Sequence, residues 1–171
     1  MKHLILLRHA NAKNSIKYND DFDRPLSKRG KQQCHETGSE LCRLINDEIV
    51  PPPSLLLSSN AVRTVETTEE IKAYMEENLN IPWKAVTYFD KNLYLPSIEE
   101  MLVSLWSAPP ETETILLCSH NPGISYLAET LFGRVGGQLP TAGWAAGSFE
   151  AETWQDINKQ NSILLEVGGS L

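Results

Sequence analysis

The sequence predicts an α/β fold, a three-layer α/β/α sandwich whose mostly parallel central sheet carries helices on both faces. Three observations lead there. Short apolar runs recur at Leu4–Leu7, Leu55–Leu57 and Thr114–Cys118, the pattern of strands buried on both sides. Between them lie segments whose apolar residues repeat at helical spacing. Each run ends in polar residues, Arg8-His9, Ser58-Ser59-Asn60 and Ser119-His120-Asn121, and ligands of open α/β sheets bind beyond such strand ends.

Taken in order, the first strand ends where Arg8 and His9 emerge. Asn11 to Asp23 is polar, with Tyr18 and Phe22 as its only aromatics, and reads as an ordered loop of the kind that carries binding residues. Ser27 is the predicted N-cap of the next helix. Its Cys34, Gly38, Leu41, Cys42, Ile45 and Ile49 form one apolar face, and Pro51-Pro52-Pro53 stops it. After the second strand, Asn60 is expected to cap a helix that turns Thr64, Thr67, Ile71 and either Tyr74 or Met75 inward. Arg63 then falls in the first turn. A cation there opposes the helix dipole and makes sense if it faces an anion shared with the free backbone N–H groups.

Ala85–Phe89 is a third strand. Ser97 with Glu100 forms a capping box for a helix that buries Ile98, Met101, Leu102 and Leu105, with Trp106 on its flank. After the fourth strand, Asn121 fits an N-cap and Pro122 the first helical position. That helix carries Ile124, Leu127, Ala128 and Leu131 and ends at Gly133. Trp144–Glu150 and Ser162–Val167 complete the sheet, with one antiparallel strand expected at its edge. Trp144 is a packing residue or a wall of the site.

The length of 171 residues fits one domain spanning 1–171. Hydrophobic content of 41% and charged content of 22% are those of an ordinary globular chain. A net charge of −7 and a pI near 5.1 argue against a general nucleic-acid or anionic-membrane binder. No apolar stretch approaches the roughly 18 residues of a membrane span, and the N-terminal run, cut short at Arg8, does not read as a signal peptide. Cys34 and Cys42 fall about 12 Å apart along one helix, beyond disulfide reach, and with Cys118 they form no framework. No Cys-x-x-Cys or paired-histidine spacing marks a metal site. The expectation is a reduced, cytoplasmic chain working without metal or cofactor.

Three strand ends thus deliver Arg8-His9, Arg63 and His120 to one edge of the sheet. Guanidiniums bind phosphate oxygens in a directional, bidentate manner. A histidine that accepts a phosphoryl group needs one unprotonated ring nitrogen facing phosphorus while a partner holds the other. Phosphoryl transfer asks for little beyond positioning and charge neutralisation.

Arg8-His9-Ala10, Arg24-Pro25-Leu26-Ser27-Lys28-Arg29-Gly30, Ser58-Ser59-Asn60-Ala61-Val62-Arg63-Thr64-Val65-Glu66-Thr67, Ser119-His120-Asn121-Pro122-Gly123 and Leu139-Pro140-Thr141-Ala142 run through the chain in order. In this succession the sequence resembles the histidine phosphatase superfamily, which is phosphoglycerate mutase-like, and within it the SixA-type phosphohistidine phosphatases. The resemblance implies that His9 is the transiently phosphorylated nucleophile. It implies that Arg8, Arg63 and His120 hold the phosphoryl oxygens, that Arg24 adds to the pocket wall, and that Ser58 and Asn121 are further substrate-binding candidates. The substrate it implies is phosphohistidine on a protein, for instance a histidine phosphotransfer domain.

Ala10 departs from the family's signature glycine, which is tolerable unless that position needs φ > 0 or a very close ligand approach. Many relatives also carry a glutamate proton donor in an insertion, and the short span between Arg63 and the third strand leaves no room for it. An alkoxide leaving group would need that acid, whereas a phosphoramidate has a labile P–N bond. A small-molecule phosphomonoesterase and a non-catalytic module binding phosphorylated partners are the alternatives.

Overall fold

The computed structural model describes residues 1–133 and 135–169. Six strands, β1 (Lys2–Arg8), β2 (Leu55–Ser59), β3 (Val86–Asp90), β4 (Thr114–Ser119), β5 (Trp144–Phe149) and β6 (Ser162–Gly168), form one sheet in the order β3-β2-β4-β1-β5-β6. The helices are α1 (Lys28–Asn46), α2 (Val62–Asn78), α3 (Ile98–Trp106) and α4 (Gly123–Phe132). This is the expected α/β arrangement of a mixed, mostly parallel sheet between helical layers.

The unbroken apolar run of β1 follows from its place in the sheet. Strand side chains alternate between faces. Leu4 and Leu6 therefore enter a core with Leu57, Ile115, Leu117 and the α3 and α4 residues Met101, Leu105, Ile124 and Leu127. Ile5 and Leu7 enter the opposite core with Leu56, Leu116 and the α1 and α2 residues Cys34, Leu41, Ile71 and Met75. All four β1 leucine and isoleucine side chains are fully buried, each contributing about 1.5–3 kcal/mol of hydrophobic stabilisation.

Two caps form as the residue types require. Ser27 accepts from the Gly30 N–H to start α1, and Ser97 and Glu100 close a full capping box on α3. Gly133 ends α4 with φ +84°. Gly30 sits where the chain crosses itself, and a Cβ there would lie 2.0 Å from the Asn11 carbonyl oxygen.

Several expectations are corrected. The helix α1 ends at Asn46, ahead of the prolines, because Glu48 turns to φ +58° and closes the helix locally. Ile49 consequently lies outside the helix and is partly exposed. Ala61, not Asn60, occupies the N-cap of α2 without a side-chain bond; the Ser59 hydroxyl accepts from the Ala61 N–H. Pro122, not Asn121, occupies the N-cap of α4, since the Asn121 side chain donates to the Leu139 carbonyl and accepts from the Ser125 hydroxyl. The strand running against β1 is β5, which lies inside the sheet; β6 forms the edge. Trp144 is fully buried in the α1–α2 core, with its indole N–H on Glu40, so it packs and does not wall the site.

Candidate active site

The parallel pairing of β1 with β4 sets Arg8 beside Ser119, so the residues that follow, His9 and His120, leave the sheet together. Backbone hydrogen bonds fix this edge. The His9 N–H donates to the Ser119 carbonyl, the Ala142 N–H to the His9 carbonyl, and the Arg8 N–H to the Gly143 carbonyl. The imidazole centroids of His9 and His120 stand 5.1 Å apart. Arg63, in the first turn of α2, is 2% exposed and reaches both rings.

The hydrogen bonds determine the tautomers. His9 Nδ1 lies 2.8 Å from the Ala10 carbonyl oxygen. A carbonyl only accepts, so Nδ1 carries the proton and Nε2 presents its lone pair. The Arg63 Nε–H donates to that Nε2 at 3.3 Å. At His120 the assignment reverses. Its Nδ1 accepts from Arg63 Nη2 at 3.3 Å, leaving Nε2–H to donate to the Ser59 hydroxyl at 2.8 Å. Burial, with Arg63 and Arg8 adding to it, lowers the His9 pKa to about 4 despite the Ala10 bond. Burial, followed by His9 and Arg63, lowers His120 to about 2. Both rings are neutral at physiological pH.

The arginines differ in their bonding. Arg8 donates to the Leu139 carbonyl at 3.0 Å, and its buried Nε has no partner among the described residues. Such an orphan donor calls for an explanation, and an anionic ligand supplies one. Arg63 is occupied. Beyond the two histidines, it donates to the Asp21 backbone carbonyl at 2.7 Å and to Asp21 Oδ2 at 2.9 Å. Arg24 donates from Nε to Asp21 Oδ1 at 2.9 Å and to the Lys13 carbonyl. The Tyr94 hydroxyl adds a bond to Asp21 Oδ2 at 2.9 Å, while its ring meets His120 and Phe22 edge-on. Burial alone would raise the Asp21 pKa; the hydrogen bonds from Tyr94 and Arg24 and the charge of Arg63 outweigh it and bring it to about 2.

The structure therefore brings Arg8, His9, Arg63 and His120 together, with Arg24 one carboxylate away. It does not bring Ser58 there. That hydroxyl is buried, donates to the Ser59 carbonyl and accepts from Thr68. The neighbouring Ser59 reaches His120 instead. Asn121 touches the site only through Leu139, the carbonyl it shares with Arg8. Asp21, Ser59 and Tyr94 escaped the sequence reading. The Asp21-Phe22-Asp23 turn, capped by Asp20, was legible as part of an ordered loop of the kind that carries binding residues, with nothing to single out Asp21 within it. Ser59 offered a signal, because strand alternation puts only one of Ser58 and Ser59 on the His120 side. Ala10 fits without strain: its φ is not positive, its methyl is buried in the α1–α2 core, and its N–H donates to Thr67.

Comparison with known proteins agrees with this arrangement. Residues 4–84 match the model of the histidine phosphatase superfamily, branch 1. An uncharacterised chloroplastic protein of Arabidopsis thaliana is 31% identical over 136 residues, covering 77% of this chain. The chain spans 60% of the length of that curated relative. A protein assigned as a phosphohistidine phosphatase SixA from Nakamurella multipartitia superposes with a TM-score of 0.76 at 21% identity, over 98% of this chain and 95% of that one. The protein histidine phosphatase SixA complexed with tungstate gives 0.72 at 19% identity, over 98% and 96%. At these identities the structural likeness carries the fold, a phosphoglycerate mutase-like α/β fold. The Arg8-His9 strand end and Arg63 lie inside the segment that matches the histidine phosphatase superfamily, and the rest of the sheet brings His120 to them.

Proposed function

We propose that the protein is a phosphatase that removes phosphoryl groups from phosphohistidine on a protein, through a covalent phosphohistidine on His9. One observation carries this reading. His9 is a neutral imidazole whose Nδ1–H is tied to the Ala10 carbonyl and whose Nε2 lone pair faces a guanidinium-lined pocket. A nucleophile for phosphorus needs that tautomer and that orientation.

In the first step Nε2 attacks phosphorus and forms a P–N bond, while the P–N bond to the substrate imidazole breaks and the departing ring takes a proton from water. Arg8 and Arg63 hold the phosphoryl oxygens as charge shifts between the two nitrogens, and His120 orients Arg63 by accepting from its Nη2. In the second step water attacks phosphorus, releasing inorganic phosphate and returning His9 to its neutral form. The carboxyl against the arginines favours the phosphoramidate. Asp21, held at about 2, is ionised at neutral pH and cannot serve as the acid that an alkoxide leaving group needs.

A small-molecule phosphomonoesterase is the second reading. It is favoured by burial, since His9 is 8% and His120 1% exposed, a recess that a small phosphate ester enters more readily than a folded protein does. Single-turnover dephosphorylation of a phosphorylated histidine phosphotransfer domain, run beside p-nitrophenyl phosphate and 3-phosphoglycerate with His9→Ala as control, decides between them. Fast loss of protein phosphohistidine that vanishes in the variant is the expected result. Turnover confined to the esters selects the second reading. Binding of the phosphorylated domain without turnover of any substrate rejects both enzyme readings.

A further inference from the structure

We propose that Asp21 is a built-in anion that occupies the phosphoryl pocket of the free protein, its carboxylate taking on Arg63 the seat that a phosphoryl oxygen takes in the loaded site. The inference rests on the phosphoryl-transfer reading of that pocket. It begins from a donor census of Arg63. Nε is spent on His9; Nη1 donates to the Asp21 carbonyl; Nη2 donates to Asp21 Oδ2 and meets His120 Nδ1. Of the five N–H groups of a guanidinium, only one on Nη1 is left for a ligand. Arg24 places Nε and Nη2 on Asp21 Oδ1. A single carboxylate thus engages two of the three arginines around His9.

Arg8 is the exception, with its buried Nε unpartnered among the described residues. The free pocket therefore has one arginine with no carboxylate on it among the described residues and two that share a single carboxylate. An entering phosphoryl group meets Arg8 first. To lie in line with His9 Nε2 it must then draw the Arg63 Nε–H off that lone pair, and Asp21 is what holds Arg63 in place. The carboxylate is suited to leaving. It sits on a short turn between Asp21 and Asp23, with its side chain 43% exposed, while the Arg63 side chain is 3% exposed. A dianion can outbid it, because charge-assisted bonds to phosphate are strong and an outgoing carboxylate is rehydrated by solvent. Weakly binding anions cannot. The pocket is thereby closed to monoanions such as chloride or acetate and opens to phosphoryl groups, a selectivity set by competition between two anions for one arginine.

Tungstate is the probe, measured by calorimetry on the full chain. Asp21→Asn, which keeps the shape and removes the charge, is expected to bind tungstate about tenfold more tightly than the unmodified protein. Tyr94→Phe removes one bond holding the carboxylate and changes no charge, so its expected gain is about twofold to threefold. Crystals loaded with tungstate are expected to show Asp21 Oδ2 withdrawn from Arg63. Equal or weaker binding by Asp21→Asn, with tungstate binding to the unmodified protein still lost in Arg63→Ala, overturns the inference and leaves the phosphoryl pocket standing. An unchanged Tyr94→Phe beside a tight Asp21→Asn reduces Asp21 to a repelling charge and overturns the seat. An intact Asp21–Arg63 pair in loaded crystals does the same. Tungstate binding by none of these proteins removes the pocket reading and the inference together.

Discussion

The floor and the roof of the pocket are built in different ways. The floor, His9 and His120, stands on the central strands β1 and β4 and is fixed through main-chain bonds to Ser119, Ala142 and Gly143. The roof, residues 11–24, is a run of short turns joined to the floor mainly by the Asp21 side chain and carbonyl. Main-chain bonds in a sheet interior open only with the sheet, whereas a side-chain pair at a loop opens locally at low cost. His9, the proposed nucleophile, is thus held rigidly, while the Asp21–Arg63 pair opposite it is free to open locally. Rigidity sits where the attacking atom must be aligned, and freedom where a ligand must come and go.

The comparison can be tested in order of expected effect. Replacing His9 by Ala removes the proposed attacking nitrogen, and single-turnover rates are expected to fall by at least about 10⁴-fold. Arg63→Ala, which cuts floor from roof, is expected to cost about 10²–10³-fold in kcat, as loss of one charge-stabilising donor does. Gly30→Ala acts on the roof's anchor. A methyl driven against the Asn11 carbonyl is expected to lower stability by about 1–3 kcal/mol, read as the urea midpoint. A normal midpoint there would show that the crossing of residues 11 and 30 is soft.

The floor also has a pH signature. The folded pKa of His9, about 4, lies below its ordinary value of about 6.5, and His120 is lowered further, to about 2. Between these limits the unfolded chain binds protons that the folded chain does not. Stability is therefore fully present above about pH 6.5 and falls as acid is added through that window, by on the order of a few kcal/mol. The urea midpoint between pH 7 and pH 4.5 measures it, and a flat profile would refute the buried neutral rings. The acid limb of kcat/KM is expected near pH 4, where His9 gains its proton. The smallest effect is Ser59→Ala, which strips the acceptor from the His120 Nε2–H and is expected to destabilise by about 1 kcal/mol.

The floor was legible in the sequence and the roof was not, for a physical reason. Strand periodicity and the polar residues at strand ends locate Arg8, His9, Arg63 and His120, because main-chain geometry then dictates where they meet. Asp21 depends on a pairing across 42 residues that no local pattern encodes. The Ser58–Ser59 choice turns on a one-residue phase, and in a strand a single step reverses the face. Asn60 and Asn121 failed as caps for another reason: both are good capping types, but Ser59 serves the turn before α2, and Leu139 with Ser125 claims the Asn121 amide.

The reversed strand β5 also bears on how the chain acquires its structure. Leu4 lies between Ile115 on one side and Gly147 on the other, so β1 has no sheet neighbour near it in sequence. During synthesis β1 emerges before β4 and β5 and remains an unpaired apolar edge until they follow. Contacts of such long separation slow folding and leave exposed edges open to aggregation. The partners of His9 lie far along the chain, Arg63 on α2, His120 after β4 and Ala142 before β5. Activity and the burial of β1 should therefore appear together, late, in refolding as in translation.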